Sequence, residues 1–189
     1  VADYIYSELE INCDTVFYQS YSHDGRNFKN VIARIGDTLK PKLVVGAHYD
    51  VCGDSDGADD NATGVTGVLE LSRLIKKDSL RTFHIEFVAY TLEEPPYFRT
   101  DFMGSHIHAK KLFVNNINVK GMICLEMLGY FDDSKNSQNY PLKALKAVYG
   151  SKGDFITVVH RTNNGEFGDE FSKLTVSYTH LTLPTKRIV

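Results

Sequence analysis

The stretch from residue 44 to 64, VVGAHYDVCGDSDGADDNATG, constrains this chain more than any other. Apolar and small residues climb to His48, and Asp50 follows two positions later on what reads as the same strand. A loop rich in Gly, Asp and Ser then leads to Asp59, Asp60 and Asn61, with Gly64 just inside an apolar helix. Imidazole and carboxylates delivered at a strand end and a helix start form the donor set of a hydrolytic metal centre. Taken singly, His48 reads as a core histidine bonded to a carbonyl, and the aspartates read as helix caps. One cap does not need three such residues in a row. Strand periodicity also puts Asp50 where its carboxylate accepts from the second ring nitrogen of His48 and fixes the tautomer.

The remaining pattern alternates strand and helix. Residues 2–9 are helix-like. Residues 15–21 and 28–35 are β-branched and aromatic runs around a polar loop, which predicts a hairpin. A short continuous apolar strand is expected over 42–47, as when both sheet faces are covered. Residues 62–77 carry Val65, Val68, Leu69, Leu71, Leu74 and Ile75 at helical spacing. Strands follow at 83–91 and 119–127 with a helix at 101–113 between them. A short helix at 142–148, a strand at 154–159 and a helix from 165 to 174 complete the series. The pattern predicts an α/β fold of three αβα layers, its central sheet mostly parallel with antiparallel edge strands from the hairpin.

In such folds ligands bind beyond the carboxyl ends of the strands. His48 ends one strand, Glu93 and Glu94 end the next (FVAYTLEE), and Glu126 ends a third (MICLEM). Carboxylates meeting at one rim repel unless cations neutralise them. Adjacent acids on an extended chain point in opposite directions, so one of Glu93 and Glu94 can bind metal while the other serves as general base. The plainer readings are an acidic turn for the pair and a salt bridge for Glu126. His106 and His108 lie two apart on a helix and are expected on the surface.

Size and charge narrow the field. At 189 residues, one domain is expected, over 1–175. Residues 176–189, VSYTHLTLPTKRIV, have no helical period and are expected to be a non-native tail. A net charge of -3 with no basic run gives no case for nucleic acid. No apolar stretch approaches the roughly 20 residues of a membrane span. Three cysteines at unrelated spacings indicate neither a disulfide framework nor a zinc ribbon.

The stretches GAHYD, GADDNATG, TLEEPPYFRTDFMGS and CLEMLGY, in this order, resemble the di-zinc aminopeptidases, relatives of glutaminyl cyclases and of the transferrin-receptor ectodomain. The resemblance covers roughly residues 30–130, with 153–174 also similar. It implies a zinc exopeptidase-like fold, incomplete here, and a peptide substrate. It also implies that Asp60 bridges two zinc ions, that His48 and Glu126 complete one metal, and that Glu94 binds the other. Glu93 would be the general base, Asp50 the partner of His48, and the Asp60–Asn61 peptide cis. The family's last histidine ligand has no counterpart, since His160 falls too early and His180 has the wrong neighbours. The chain as given is therefore expected to hold one zinc or none and to be inactive. Alternatives are a glutaminyl cyclase-like transferase and a non-catalytic receptor-type binding domain.

Overall fold

A computed structural model describes residues 1–77, 82–140, 142–160, 166–178 and 185–188. They fall into two compact units, Val1–Leu128 and Gly129–Val189. The first opens with helix α1 (Ala2–Asn12) and the hairpin of β1 (Thr15–His23) and β2 (Arg26–Ile35). Its strands run further than the hydrophobic pattern suggests, pairing out to His23 and Arg26. The turn shrinks to Asp24-Gly25, both at positive φ (48° and 70°), as a two-residue turn matched to strand twist requires.

Strand β3 (Lys42–His48) leads through a wide helical turn, Ala58–Thr63, into α2 (Gly64–Lys76). Then come β4 (His84–Tyr90), α3 (Gly104–Val114) and β5 (Val119–Cys124). The five strands form one sheet in the order β1-β2-β4-β3-β5. β3 lies parallel to both β4 and β5, while β2 is antiparallel to β1 and to β4. The parallel half thus brings the carboxyl ends of β3, β4 and β5 to one rim, and the hairpin supplies the antiparallel edge.

Alternation along the strands sorts the core into two faces. Val31, Ala33, Ile35, Val45, Ala47, Ile85, Phe87 and Ala89 pack with Ile5 and Leu9 of α1 and Val68 of α2. The opposite face carries Ile32, Val44, Val88 and Tyr90, against which Leu112 of α3 packs. Helices therefore cover both faces, giving the three layers anticipated from the pattern. β4 is buried along its whole length.

One feature of that second face has no counterpart in the sequence reading. Glu86, at 0% exposure in the middle of β4, receives Arg34 Nε at 2.6 Å and Lys42 Nζ at 2.5 Å. His108 Nε2 stands 2.9 Å from its other oxygen, and Tyr90 Oη lies 3.1 Å from His108 Nδ1. The partners assign the ring as Nε2–H donor to the carboxylate and Nδ1 acceptor from the tyrosine. His108 is thus 3% exposed and corrects the expectation of a surface residue. His106 is the more exposed member of the pair, with 45% of its side chain accessible.

The second unit holds α4 (Leu145–Tyr149), β6 (Ile156–Val159), α5 (Glu166–Tyr178) and β7 (Thr185–Ile188), with β6 and β7 paired in parallel. The sequence pattern assigns no element to 176–189. α5 runs into that stretch, β7 lies within it, and His180 is outside the described residues. No helix among the described residues is long and apolar enough to cross a membrane.

Candidate metal centre

β3 delivers His48 to the rim, and the chain leaves the strand at once. Tyr49 N still donates to Tyr90 O at 2.9 Å, holding the exit against β4. Asp50 lies past the strand, and this corrects the expected contact. His48 Nδ1 donates to the main-chain oxygen of Asp50 at 3.1 Å, while the Asp50 carboxylate stands 3.6 Å away. Its Oδ2 instead accepts from Glu94 N at 3.0 Å. The tautomer follows all the same: with Nδ1 donating, Nε2 offers its lone pair to the rim.

Three carboxylates crowd that nitrogen. Asp60 Oδ1 lies 3.0 Å from His48 Nε2, Glu126 Oε1 3.4 Å and Glu94 Oε1 3.7 Å. Donor atoms of His48, Asp60 and Glu126 all fall within 4.8 Å of one another. Four ligands at about 2.0–2.1 Å around a tetrahedral ion sit about 3.3 Å apart, close to the 3.0–3.7 Å that separate His48 Nε2 from the three carboxylates. Asp60 Oδ1 is buried yet accepts no hydrogen bond, although the imidazole is at 3.0 Å. A buried carboxylate oxygen beside an imidazole nitrogen and two further carboxylates is a setting that a cation neutralises, so imidazole and carboxylates fit a zinc ion.

The electrostatics agree. Burial pulls the His48 pKa down, but the Asp50 and Glu126 carboxylates outweigh it and raise the value to about 9. Glu126 is pushed above the usual carboxylate range by burial and by Asp60 and Glu94, against the pull of His48. The cluster lacks positive charge and draws a proton in its place.

Glu93 and Glu94 lie beyond the end of β4 rather than on it, and they diverge as expected of neighbours. Glu94 turns to His48 Nε2. Glu93 turns to the start of α3, where Ser105 N reaches Oε1 at 2.6 Å and Ser105 Oγ reaches Oε2 at 2.8 Å. Burial raises the Glu93 pKa, the Ser105 hydrogen bonds lower it, and the nearby Asp50 charge raises it, for a net upward shift. The segment between hangs from this pair, since Tyr97 N and Phe98 N both donate to Glu94 O at 2.9 and 3.2 Å.

Asn61 does more than cap the helix that follows it. It is 1% exposed, and its Oδ1 accepts from Gly64 N at 3.0 Å and Met127 N at 3.1 Å. Its Nδ2 donates to Leu125 O at 2.9 Å and to Glu126 Oε2 at 3.2 Å. Thr63 Oγ1 accepts from Leu128 N at 2.9 Å. The turn that carries Asp60 is thereby stitched to the loop that carries Glu126. A Cβ at Gly64 would lie 2.3 Å from Asn61 Oδ1 and 2.5 Å from Leu125 O, so only glycine fits. The Asp60–Asn61 peptide is cis, as the resemblance implies. Asp59 stays outside the cluster, its main-chain oxygen accepting from Thr63 Oγ1 at 2.8 Å.

Known proteins share this arrangement of sequence and fold. The chain is 42% identical over 168 residues to the Uncharacterized protein YfbL of Escherichia coli (strain K12), a match covering 85% of this chain and 51% of that one. It is 31% identical over 131 residues to Leucine aminopeptidase 1 of Emericella nidulans, covering 63% of this chain and 32% of the relative. The chain thus spans about half the length of the first relative and a third of the second. Among solved structures, the LapA aminopeptidase of Legionella pneumophila superposes with a TM-score of 0.71 at 22% identity, over 98% of this chain and 46% of that one. Macrostomum lignano glutaminyl cyclase follows at 0.69 and 20%, over 100% and 63%. These two likenesses show a shared fold. The model of Peptidase family M28 matches residues 30–173, three quarters of the sequence, and the chain belongs to that family.

Proposed function

We propose that the whole protein is a zinc-dependent aminopeptidase that removes N-terminal residues from peptides. The observation that carries this reading is the approach of Asp60, Glu94 and Glu126 to a single nitrogen of His48, all within 3.7 Å, with Glu93 turned aside. His48, Asp60 and Glu126 would hold one zinc ion, and Asp60 with Glu94 would contribute to a second. Bound zinc supplies Lewis-acid activation of water and of the scissile carbonyl. The protein's own part is proton handling and placement. Glu93, drawn above the ordinary carboxylate range chiefly by burial, takes the proton of the attacking water and returns it to the leaving amine. Ser105 fixes the direction of that carboxylate. Asp50 holds Glu94 through its main-chain N–H.

Glu93→Gln tests the assignment. The substitution keeps the hydrogen-bonding shape but cannot take up the proton of the attacking water. Zinc content is expected to stay the same while kcat on a leucine-initiated peptide falls about 100- to 10,000-fold. Intact turnover in Glu93→Gln would remove Glu93 from the role of base. Ammonia released from a glutamine-initiated peptide, with no residue lost, would reassign the protein to cyclase chemistry.

A further inference from the structure

Asn30 is fully buried in β2, at 0% exposure, and its amide reaches past the sheet. Oδ1 accepts from Thr91 N at 3.1 Å, just beyond β4. Nδ2 donates to Gly104 O at 2.8 Å, at the first residue of α3, and to Gln19 Oε1 at 3.0 Å. Thr91 and Gly104 are also joined directly, Gly104 N donating to Thr91 O at 2.8 Å. Glu93 and Glu94 sit on the excursion between these two points. Ser105, which holds both oxygens of Glu93, is the next residue after Gly104. The contact is too close for any other residue at 104, since a Cβ there would lie 2.1 Å from Asn30 Oδ1 and 2.6 Å from Thr91 O.

Most buried side-chain amides bond to whatever backbone lies nearest. This one binds the two ends of the excursion that bears the base. We propose that Asn30 is a positioning residue for Glu93: by tying Thr91 to Gly104 it fixes where Ser105 stands, and Ser105 aims the carboxylate. Asn30 makes no hydrogen bond to the cluster of His48, Asp60 and Glu126, so its effect belongs to proton transfer and not to metal binding. The inference rests on the reading of Glu93 as base in a peptidase.

The test uses the whole zinc-loaded protein with Asn30→Asp and Asn30→Ser, each also combined with Glu93→Gln. Asn30→Asp keeps the acceptor for Thr91 N but sets a carboxylate oxygen against Gly104 O. Asn30→Ser keeps one short polar group, so at least one variant retains a donor or acceptor suited to folding. With Glu93 present, kcat is expected to fall about ten- to 100-fold at nearly constant KM and constant zinc affinity. In the Glu93→Gln background the same change should cost less than about twofold, because residues acting as a unit are not additive. Val68→Ala, a core change on α2, supplies a destabilised control whose kcat below its melting transition is expected to stay within about twofold. Equal losses in both Glu93 backgrounds, a loss no larger than that of Val68→Ala, or parallel loss of zinc would overturn the positioning role. Failure of both Asn30 variants to fold would overturn it too, since a general structural part would then account for the residue. A wild-type protein that cleaves no peptide would instead overturn the peptidase reading on which the inference stands.

Discussion

Around His48, the geometry that invites a cation also invites a proton. Without metal, its neighbours hold the ring pKa at about 9, so at neutral pH zinc must displace a proton from the same nitrogen. The sign follows directly. Zinc affinity is expected to rise by about tenfold per pH unit between pH 6.5 and 8.5 and to level off above about 9. Competition against a chelator of known affinity measures that slope. A flat profile over this range would mean that His48 is already neutral and the carboxylates are not acting on it. His48, Glu94 and Glu126 are legible in the sequence because each is an acid or imidazole that follows an apolar run, where an unpaired charge has a high cost, and Asp60 because three cap-type residues in a row exceed what one helix start needs. Asn30, Asn61 and Ser105 are not legible in the same way. Nothing in RNFKN or MGSHI distinguishes an amide or hydroxyl that holds a distant loop from one facing water. Ser105 meets Glu93 across 12 positions, Asn61 meets Glu126 across 65 and Asn30 meets Gly104 across 74, and only the folded chain brings them near.

At the scale of elements, α3 is tied to the sheet at two levels, by Gly104 and Ser105 at its first turn and by His108 one turn on. The second tie depends on Glu86. Burial alone would raise that carboxyl, but His108, Lys42 and Arg34 reverse the effect and bring it from 4.5 down to about 2. A depressed carboxylate contributes stability that is present above its unfolded value and lost as pH falls through its folded one. The Glu86 contribution is therefore complete above about pH 4.5 and gone near pH 2, a difference of about 3 kcal/mol. Glu86→Gln leaves Lys42 and Arg34 without their counter-charge. Removing one partner from a buried ionic group destabilises by about 3–5 kcal/mol. Urea denaturation at neutral pH is expected to show a loss of that order, and the acid limb between pH 4.5 and 2 should flatten. The strand containing Glu86 is legible from its β-branched and aromatic content, but the charge within it is not. A lone acid in FHIEFVAY acquires meaning only when β2 and β3 bring Arg34 and Lys42 alongside, and the two-residue spacing of His106 and His108 conceals that one of them faces inward.

For the molecule as a whole, the sheet order explains why one rim collects the chemistry. Placing β3 between β4 and β5 sets three parallel carboxyl ends side by side, and each contributes to the cluster: His48 from β3, Glu94 past β4, Glu126 past β5. The alternation of strand and helix makes the α/β class legible, whereas the position of β3 between two later strands is a matter of tertiary pairing that periodicity does not encode. Metal binding should then act across the sheet and not on one loop, because Asp60 adds a fourth segment, the turn before α2. An ion held by three of these segments resists any opening that separates them, and it binds the folded chain alone. At a free zinc concentration 100 times Kd the stabilisation is expected to be about 2.7 kcal/mol. For a chain of this size that shifts the melting transition upward by about 5–10 °C. Calorimetry with zinc and with a chelator measures the shift, and Glu126→Gln and His48→Ala should each abolish most of it. A melting temperature indifferent to zinc, or a shift that survives both substitutions, would place the ion elsewhere than at the rim formed by His48, Asp60 and Glu126.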